Sequence, residues 1–393
     1  MIRPSPGRYL ALSSTQGSPR AFIPAPLPPH PPLRWTAERV ACVDQAVLAL
    51  GRLDAAATLA PESAPFHALF MRQEAVCSSR IEGLQATLTA VLLAELGLSP
   101  RAPVTDVQEV MRYVAAYQHG LTRLSEGLPL SLRLVREIHG ALLGGDGSRY
   151  PGEFRRCQNW LGGATPAQAV FIPPPPAEVM PCLGDWERFL HDQPEPTSLL
   201  VKAALAHVQF ETIHPFADGN GRVGRLLIPL QLWAHQALQA PLLSLSRVVL
   251  RQRPRYYALL DQVRQRGDWE AWVDFFAAAV RDSATESLAT LTQLLTLART
   301  DRARSAGRPG ADARQCLHQA LLRQPVATAR ALVTATGLTP TTVARALAEL
   351  RHREVITYLP PQRPDGEVVC YPGVLRLLEA DGALDVWRGM ADR

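Results

Sequence analysis

Lysine is nearly absent from this chain, because Lys202 is the only one among 393 residues. Arginine therefore supplies almost all of the positive charge, which we interpret as a bias of composition and not as a functional device. The formal net charge of +5 and the pI near 9.0 permit a nucleotide or nucleic-acid partner without requiring one.

Clustered cysteines and long apolar runs are lacking as well. The six cysteines lie far apart and form no CxxC pair, which argues against zinc and is typical of a reducing compartment. No apolar run reaches the roughly 18 residues that a membrane span needs. The N-terminus also lacks the uninterrupted apolar core of a signal peptide. We therefore predict a cytoplasmic protein with no membrane partner.

Helical periodicity dominates the chain from Trp35 to about residue 285. Apolar side chains recur there at the spacing that places them on one face of a helix, so this part is predicted to be nearly all-α. The exception is the stretch between Gly144 and Pro176, which is rich in glycine and proline and predicts a loop with a β-hairpin.

The C-terminal part has a different pattern, with two helices around a glycine turn and then two β-prone runs. Gly337 suits the turn, Thr339 can cap the second helix, and Pro340 suits its first position. A turn at Asp365–Gly366 separates the β-prone runs. A helix-turn-helix followed by a hairpin predicts a winged helix.

The stretch 214–225, HPFADGNGRVGR, contains a glycine-lined turn in its middle. Gly219 and Gly221 leave backbone N–H groups uncovered by any side chain, just before a helix predicted to start at about Val223. A helix start with exposed amides attracts anions, because its first N–H groups have no intrahelical acceptor and the helix dipole is positive there. This is not a Walker A loop, since no GK[ST] follows the glycines.

Four side chains of the same stretch suit nucleotide chemistry. Arg222 and Arg225 lie three residues apart and can both reach phosphate oxygens. Asp218 suits Mg²⁺, a hard cation that prefers carboxylate and phosphate oxygens. His214 is the group that could take a proton near neutral pH. The stretch therefore predicts a nucleotide polyphosphate on a helix N-terminus, with a metal ion and a base beside it.

HPFADGNGRVGR resembles the signature of the Fic family, HPFx[D/E]GNGRxxR, at every defined position. FIPAPLPP, RQEAVCSSRIEG, YPGEFRRCQNWLGG, VFIPPPP and GDWEAWVDFF are similar to further parts of the Fic subgroup that carries its own N-terminal helical domain. Together these segments span about residues 22–285. The resemblance implies protein adenylylation, the transfer of AMP from ATP to a Ser, Thr or Tyr hydroxyl of a target protein or of the enzyme itself.

The resemblance also implies a role for each motif residue. His214 would be the general base that deprotonates the hydroxyl, and Asp218 would hold Mg²⁺. The anion hole and the phosphate contacts of ATP fall on Gly219, Asn220, Gly221, Arg222 and Arg225. Tyr256 or Tyr257 could stack on adenine, and either could instead belong to the core; Tyr257 is the candidate we retain.

A second motif, SSRIEG at Ser78–Gly83, is similar to the inhibitory pattern [S/T]xxxE[G/N] of the family. The resemblance implies that a helix bearing Ser78 delivers Glu82, which Gly83 follows, to Arg225. That ion pair would occupy the cation meant for the γ-phosphate of ATP. The alternative is that Glu82 is a surface acid in a weak surface ion pair.

The expected fold is mainly α, with a Fic-type helical core, a β-hairpin flap, an N-terminal helical domain and a C-terminal winged helix-turn-helix domain. The predicted parts are a Pro-rich extended N-terminal segment (1–34), the N-terminal helical domain with the inhibitory motif (35–100), the Fic catalytic core (101–285), a helical linker (286–313) and the winged-helix domain (314–393). A homodimer is a candidate assembly, since related proteins often dimerise.

Two further hypotheses use the same features. The site could run in reverse, as a de-adenylylating hydrolase in which Glu82 orients a water molecule. The chain could also be a nucleotide-sensing transcriptional regulator, because residues 299–363 hold eleven arginines against four acids, a net of +7. The second helix offers Thr341, Thr342 and Arg345 to a DNA groove. Winged helices also bind proteins, so DNA is left as a candidate partner, accessory to the enzyme.

One set of side chains has metal-ligand spacing on a predicted helix, namely His207, Glu211 and His214. Since His214 already belongs to the Fic signature and no HExxH is present, we disfavour zinc here. His207 is predicted to pack or to form hydrogen bonds.

Overall fold

The computed structural model describes residues 6–12, 18–98, 102–144, 150–305, 310–359 and 367–379. The prediction of a mainly α fold is confirmed. Within the described ranges, no helix combines the length and the apolarity that a membrane crossing requires. The turn predicted at Asp365–Gly366 lies outside the described residues.

The helices and strands are numbered in chain order. The helices are α1 (Ala37–Leu59), α2 (Ala64–Ile81), α3 (Leu88–Glu95), α4 (Val104–Ser125), α5 (Leu132–Leu143), α6 (Pro176–Leu190), α7 (Leu199–Ile213), α8 (Asn220–Ala234), α9 (Leu245–Arg251), α10 (Arg253–Arg266), α11 (Trp269–Ser305), α12 (Ala311–Arg323), α13 (Ala329–Thr336), α14 (Pro340–His352) and α15 (Pro372–Leu378). The strands are β1 (Gly7–Ala11), β2 (Arg20–Pro24), β3 (Val326–Thr328), β4 (Thr357–Leu359) and β5 (Val368–Cys370).

The chain divides into two compact units. The first unit is Met1–Asp54, Arg112–Gln239 and Leu245–Ala284, and the second unit is Ala55–Met111, Ala240–Ser244 and Thr285–Arg393. The domain boundaries expected from the sequence stay predictions.

Helix α7 is the centre of the first unit. Its sequence contains no glycine or proline, and every residue from Leu200 to Ile213 is buried. Helices α6, α8 and α10 pack against it. Trp186 and Trp272 each donate an indole N–H to a main-chain carbonyl of α7, at 2.9 and 2.7 Å. Because α7 is buried along almost its whole length, its end at Ile213, directly before HPFADGNGRVGR, has a fixed position.

The flap of the first unit is a short hairpin next to the N-terminal strands. The hairpin expected between Gly144 and Pro176 takes the form of a single antiparallel bridge between Leu161 and Phe171. β1 and β2 pair antiparallel along their length. The Phe22 N–H of β2 donates to the Ile172 carbonyl at 2.8 Å, so the N-terminal strands are joined to the flap.

The C-terminal part of the second unit combines α12 to α14 with a three-stranded antiparallel sheet of order β3-β5-β4. The start of α14 follows the sequence expectation: Gly337 lies in the left-handed region at φ 69°, the Thr339 hydroxyl accepts the Thr342 N–H, and Pro340 is the first helical residue. Val343 and Leu350 are fully buried on its inner face. The classification of this part as a winged helix stays a prediction.

Helix α2 packs against α12 and α15 within the second unit. Gln73 on α2 donates its side-chain N–H to the Leu378 carbonyl at 2.5 Å. At the start of α3, the Thr89 N–H donates to the Glu379 carboxylate at 2.7 Å. Because Gln73 and Thr89 lie about three hundred residues from these partners, sequence periodicity alone could not predict the contacts.

Candidate functional site

HPFADGNGRVGR forms the turn between α7 and α8. Gly219 has φ 76° and caps α8, which begins at Asn220 and not at Val223 as the sequence predicted. The physical reason is the Asn220 side chain: its Oδ1 accepts the Phe216 N–H at 2.8 Å, and its Nδ2 donates to the Phe216 carbonyl at 2.9 Å. This closed turn starts the helix early. The N–H groups of residues 220–222 therefore form its first turn, which has no intrahelical acceptors.

Two cations lie in the first two turns of α8. Arg222 is 4% exposed and Arg225 is 3% exposed, so both side chains are buried. Gly221 is the second residue of the helix and adds no side chain beside them. Both cations therefore lie in the first turns of the helix, where the exposed N–H groups favour an anion.

His214 is the residue that ends α7. Its φ of 50° and ψ of 59° place it in the left-handed region, which is strained for a residue with a Cβ. The side chain is half-buried, and its Nδ1 has no hydrogen-bond partner among the described residues. Burial, followed by the charges of Arg264 and Arg155, lowers the pKa of His214 to about 3. The imidazole is therefore neutral at pH 7, which is the form that a general base requires.

Asp218 is exposed at the start of the same turn. Its Oδ1 accepts the Gly219 N–H at 2.7 Å, which orients the carboxylate next to the start of α8. Its main-chain carbonyl accepts the N–H of the His139 Nε2 at 3.1 Å. An exposed carboxylate beside an anion site is a suitable oxygen ligand for a hard divalent cation, which keeps several waters and binds phosphate oxygens as well.

His139 on α5 supports this turn and was not identified from the sequence. Its ring stacks on the Phe216 ring with centroids 3.7 Å apart and planes 4° apart. The Gly152 N–H donates to its Nδ1 at 2.9 Å, so the proton is on Nε2 and is donated to Asp218. Burial lowers the pKa of His139 to about 4. A lone histidine on an apolar helix face gave no sequence signal beyond its place in the core.

The segment Arg155–Asn159 also reaches the turn and carried no role in the sequence analysis. Arg155 donates its Nε–H to the His214 carbonyl at 2.9 Å, and Asn159 donates its Nδ2–H to the Phe216 carbonyl at 3.2 Å. The signal that could have found it was there, because the segment lies in YPGEFRRCQNWLGG, which resembles a part of the Fic subgroup.

His207 serves packing in this structure. Its Nδ1–H donates to the Gly224 carbonyl at 3.1 Å, and its Nε2 accepts the Tyr256 hydroxyl at 2.8 Å. Tyr256 is 2% exposed and belongs to the core, whereas Tyr257 is 37% exposed. Of the two tyrosines, only Tyr257 is therefore placed where a base could stack, and its adenine contact stays a prediction.

The inhibitory motif lies at the end of α2 in the second unit. Ser78 is fully buried, and the exposed Glu82 follows the last helical residue directly. Gly83 has φ 97°, a value that explains why glycine or asparagine suits this position. Glu82 and Arg225 belong to different units, and their predicted pairing stays a prediction.

The candidate DNA contacts lie on α14 of the second unit. Thr341 and Arg345 are exposed, and Thr342 is half-buried with its hydroxyl 2.9 Å from that of Thr339. Thr341 and Arg345 thus share an exposed face, while Thr342 also belongs to the start of the helix.

The comparisons with known proteins agree with one another. Residues 129–232 match the Fic/DOC family, and residues 40–122 match the N-terminal region of the Fic/DOC family. The proteins named "Protein adenylyltransferase Fic" from Drosophila melanogaster and Drosophila sechellia are 30% identical over 201 residues, covering 50% of this chain but only 38% of each relative.

Solved structures show the same fold. A Fic family protein from Desulfovibrio desulfuricans superposes with a TM-score of 0.57 at 24% identity, covering 87% of this chain and 98% of that chain. A Fic-domain signaling protein from Bacteroides thetaiotaomicron superposes with a TM-score of 0.52 at 21% identity, covering 64% of this chain and 97% of that chain.

Proposed function

This chain belongs to the Fic/DOC family, and from that premise we propose that it is a protein adenylyltransferase that moves AMP from ATP to Ser, Thr or Tyr hydroxyls of a target protein and of itself. The observation that carries the proposal is one arrangement: a neutral imidazole at the end of α7 directly precedes a glycine-capped helix start with two arginines. The relatives named as adenylyltransferases support the same reaction.

The reaction assigns each group a task that its position supports. The hydroxyl of the target loses its proton to His214 as its oxygen attacks the α-phosphorus of ATP. The bond from the α-phosphorus to the bridging oxygen breaks, and pyrophosphate leaves. The N–H groups of residues 220–222 and the cations Arg222 and Arg225 stabilise the negative charge of the phosphates. Positioning and electrostatics supply most of the rate.

Mg²⁺ is the cation that the donor set fits. Asp218 provides one exposed carboxylate beside the helix start, and the phosphates of ATP would provide the other charged oxygens. When bound, the cation would neutralise negative charge on the phosphates of ATP. Zinc prefers nitrogen and sulfur ligands, and both nitrogens of His207 are already hydrogen-bonded.

Autoinhibition by Glu82 is the regulation that we propose for this site. Its support is the match of Ser78–Gly83 to the inhibitory pattern of the family, together with the exposure of Glu82 directly after the last residue of α2. A carboxylate on Arg225 would compete with the γ-phosphate of ATP for the same cation.

Radiolabelled ATP tests the function and its regulation together. We expect Glu82→Gly to raise self-labelling at least about 10-fold, which is the effect of an inhibitory contact worth roughly 1.4 kcal/mol. His214→Ala in the same background should abolish labelling. Equal labelling by wild type and Glu82→Gly would contradict the autoinhibition. The hydrolase hypothesis would be favoured if purified labelled protein lost its AMP after ATP was removed and did so only when Glu82 was present.

DNA binding by the second unit is a second candidate function, favoured by the exposed face of α14. Arg345 is exposed there one turn after the small side chain of Thr341, which would permit close approach to a groove, and His352 is exposed near the end of the helix. Glu349, on the same helix, is paired with the buried Arg314 at 2.5 Å, so its charge is balanced.

Fluorescence anisotropy with a mixed-sequence duplex tests this second function. Binding at 50 mM salt should weaken strongly at 200 mM, because phosphate contacts release counterions. Arg345→Ala should weaken binding, whereas Arg376→Ala on α15, another exposed arginine, should not. An absence of salt-sensitive binding by the intact chain would remove DNA as a partner.

Homodimer formation stays a prediction.

A further inference from the structure

Arg155 is a buried arginine whose side-chain partners are all main-chain carbonyls. It is 7% exposed, and no carboxylate of the described residues forms an ion pair with it. Its guanidinium donates to the carbonyls of His214 (2.9 Å), Cys157 (3.3 Å), Ile213 (3.4 Å) and Pro174. A buried charge is unfavourable unless it is well hydrogen-bonded, so these carbonyl contacts offset the cost of burying the Arg155 guanidinium and fix its position.

Two of the carbonyls that Arg155 contacts, those of Ile213 and His214, lie at the end of α7. The last carbonyls of a helix have no intrahelical donor, and the helix dipole is negative there, so a cation at this end is favourable. Arg155 thus serves as the cap of α7, although it comes from a distant segment. Its own main-chain N–H also donates to the Pro215 carbonyl at 2.9 Å. Arg155 therefore forms hydrogen bonds with the main-chain carbonyls of three consecutive residues, 213, 214 and 215.

The backbone that Arg155 contacts is strained at His214. His214 has φ 50°, and a left-handed conformation of a residue with a Cβ persists only where its surroundings fix it. This conformation sets the direction in which the imidazole leaves the chain. The contacts at Ile213 and Pro215 hold the backbone on both sides of His214.

The same segment holds the base of the flap. The Arg155 guanidinium donates to the Pro174 carbonyl, and Gln158 donates its Nε2–H to the Pro173 carbonyl at 3.0 Å. Asn159 donates to the Phe216 carbonyl at 3.2 Å on the other side. The segment therefore connects residues 173 and 174, which follow the flap, with the turn that carries the imidazole.

We propose that Arg155 is a positioning residue of the transfer reaction, which fixes the His214 imidazole relative to the flap by holding the backbone of the α7–α8 turn. The inference rests on the proposed function. Arg155 acts through His214 and does not touch the substrate. The turn before α8 is held separately, by the hydrogen bonds of the Asn220 side chain with the Phe216 backbone. We therefore expect nucleotide binding at the start of α8 not to depend on Arg155.

Two substitutions separate the geometry of Arg155 from its charge. Arg155→Lys keeps the charge but loses the planar fork that serves several carbonyls at once, and Arg155→Met removes both. In the more active of wild type and Glu82→Gly, each should lower the self-labelling rate about 100-fold, as expected for a base displaced by about 1 Å. The Kd for ATP, measured by calorimetry on the same proteins, should change less than about 3-fold.

Over the pH range in which each variant stays folded, the pH profile of the initial rate gives a second readout. Since the charge of Arg155 helps to lower the pKa of His214, Arg155→Met should shift the acid limb of the labelling rate to higher pH. Arg155→Lys should leave that limb in place. Both variants should share the loss of maximal rate.

Arg39→Met is the matched control. Arg39 is also largely buried and forms two hydrogen bonds of 2.8 Å with Asp274, between α1 and α11 of the first unit. It should lower the melting temperature without lowering the labelling rate of the folded protein.

Several outcomes overturn the inference. A rate for Arg155→Lys within about 3-fold of its parent does so, even if Arg155→Met does not fold. So does a loss of ATP affinity that accounts for the whole loss of rate, or an equal loss of rate in Arg39→Met. If the parent itself shows no labelling that depends on His214, the proposed function fails instead.

Discussion

Three buried or half-buried histidines surround the α7–α8 turn, and hydrogen bonds distinguish them. His139 accepts at Nδ1 and donates at Nε2, whereas His207 donates at Nδ1 and accepts at Nε2. Both rings are therefore committed to holding the fold. His214 has no partner at Nδ1 among the described residues. Of the three, it is the ring left for chemistry.

The lowered pKa of His214 predicts an unusual pH dependence. A general base acts when unprotonated, so its activity falls as pH drops through its pKa. Since that pKa is about 3 and not the ordinary value near 6.5, the initial labelling rate of Glu82→Gly should fall less than about 2-fold between pH 7.5 and pH 5.5. Initial rates with saturating ATP measure this. A half-maximal rate near pH 6.5 would contradict the lowered pKa.

At the level of single residues, the sequence predicted the motif but not its supports. The spacing of His214, Asp218 and the two arginines indicated an anion site because those side chains are chemically unusual together. His139 gave no such signal, and Arg155 was marked only by the resemblance of its segment to the Fic subgroup, since each works by contacting backbone carbonyls that are distant in sequence. Such contacts depend on tertiary packing, which periodicity does not encode.

Helix α8 shows how a local contact changes the boundary of an element. The almost wholly apolar run after the motif predicted a helix here, with a start near Val223. The side chain of Asn220 instead closes on Phe216 and the helix begins at Asn220. The presence of the helix was thus predictable, whereas its first turn, which carries the anion site, was not.

The packing of α8 on α7 gives a prediction at the same scale. A Cβ added at Gly224 would lie 2.3 Å from the Glu211 Oε1 and 3.2 Å from the Phe210 ring. Both neighbours are buried, so neither can move aside cheaply. We expect Gly224→Ala to lower the free energy of unfolding by about 1–3 kcal/mol, as overpacking of a close contact does.

Gly51→Ala on α1 is the control for that substitution. A Cβ at Gly51 would meet no atom within 4 Å, and the residue is exposed in a helix interior. Alanine should therefore raise the free energy of unfolding by about 0.5–1 kcal/mol. Urea denaturation of the two variants measures both values. If Gly224→Ala were as stable as Gly51→Ala, the close contact between α7 and α8 would be wrong.

Across the whole molecule, the sequence predicted the kinds of elements better than their partners. It identified the mainly helical fold, the flap, and the order of α13, α14, β4 and β5, but it did not identify β3 or α15. It did not predict that α2 packs in one unit with α12 and α15, through contacts such as Gln73 with Leu378. Amphipathic periodicity shows which face of a helix is buried but not what covers that face.

The stability of the whole chain should fall in mild acid. Burial lowers the pKa of five histidines, His67, His139, His207, His214 and His318. Below about pH 6.5 the unfolded chain binds protons at these residues that the folded chain does not, so the folded state loses stability as pH falls toward about 4. Urea midpoints at pH 7.5, 6.0 and 5.0 should decrease in that order.

His139→Gln tests the contribution of one ring to that slope. The variant should be less stable at pH 7.5, because the stack on Phe216 is lost, but its stability should fall less steeply with decreasing pH. Equal midpoints for the wild type at pH 7.5 and pH 5.0 would contradict the lowered histidine pKa values.

The central claim is that the α7–α8 turn transfers AMP with His214 as base, and intact-protein mass spectrometry tests it most directly. After incubation with ATP and Mg²⁺, Glu82→Gly should gain the mass of one or more AMP units. The double variant with His214→Ala should gain none. A mass gain that persists without His214, or no gain in Glu82→Gly although calorimetry shows that it binds ATP, would contradict the account.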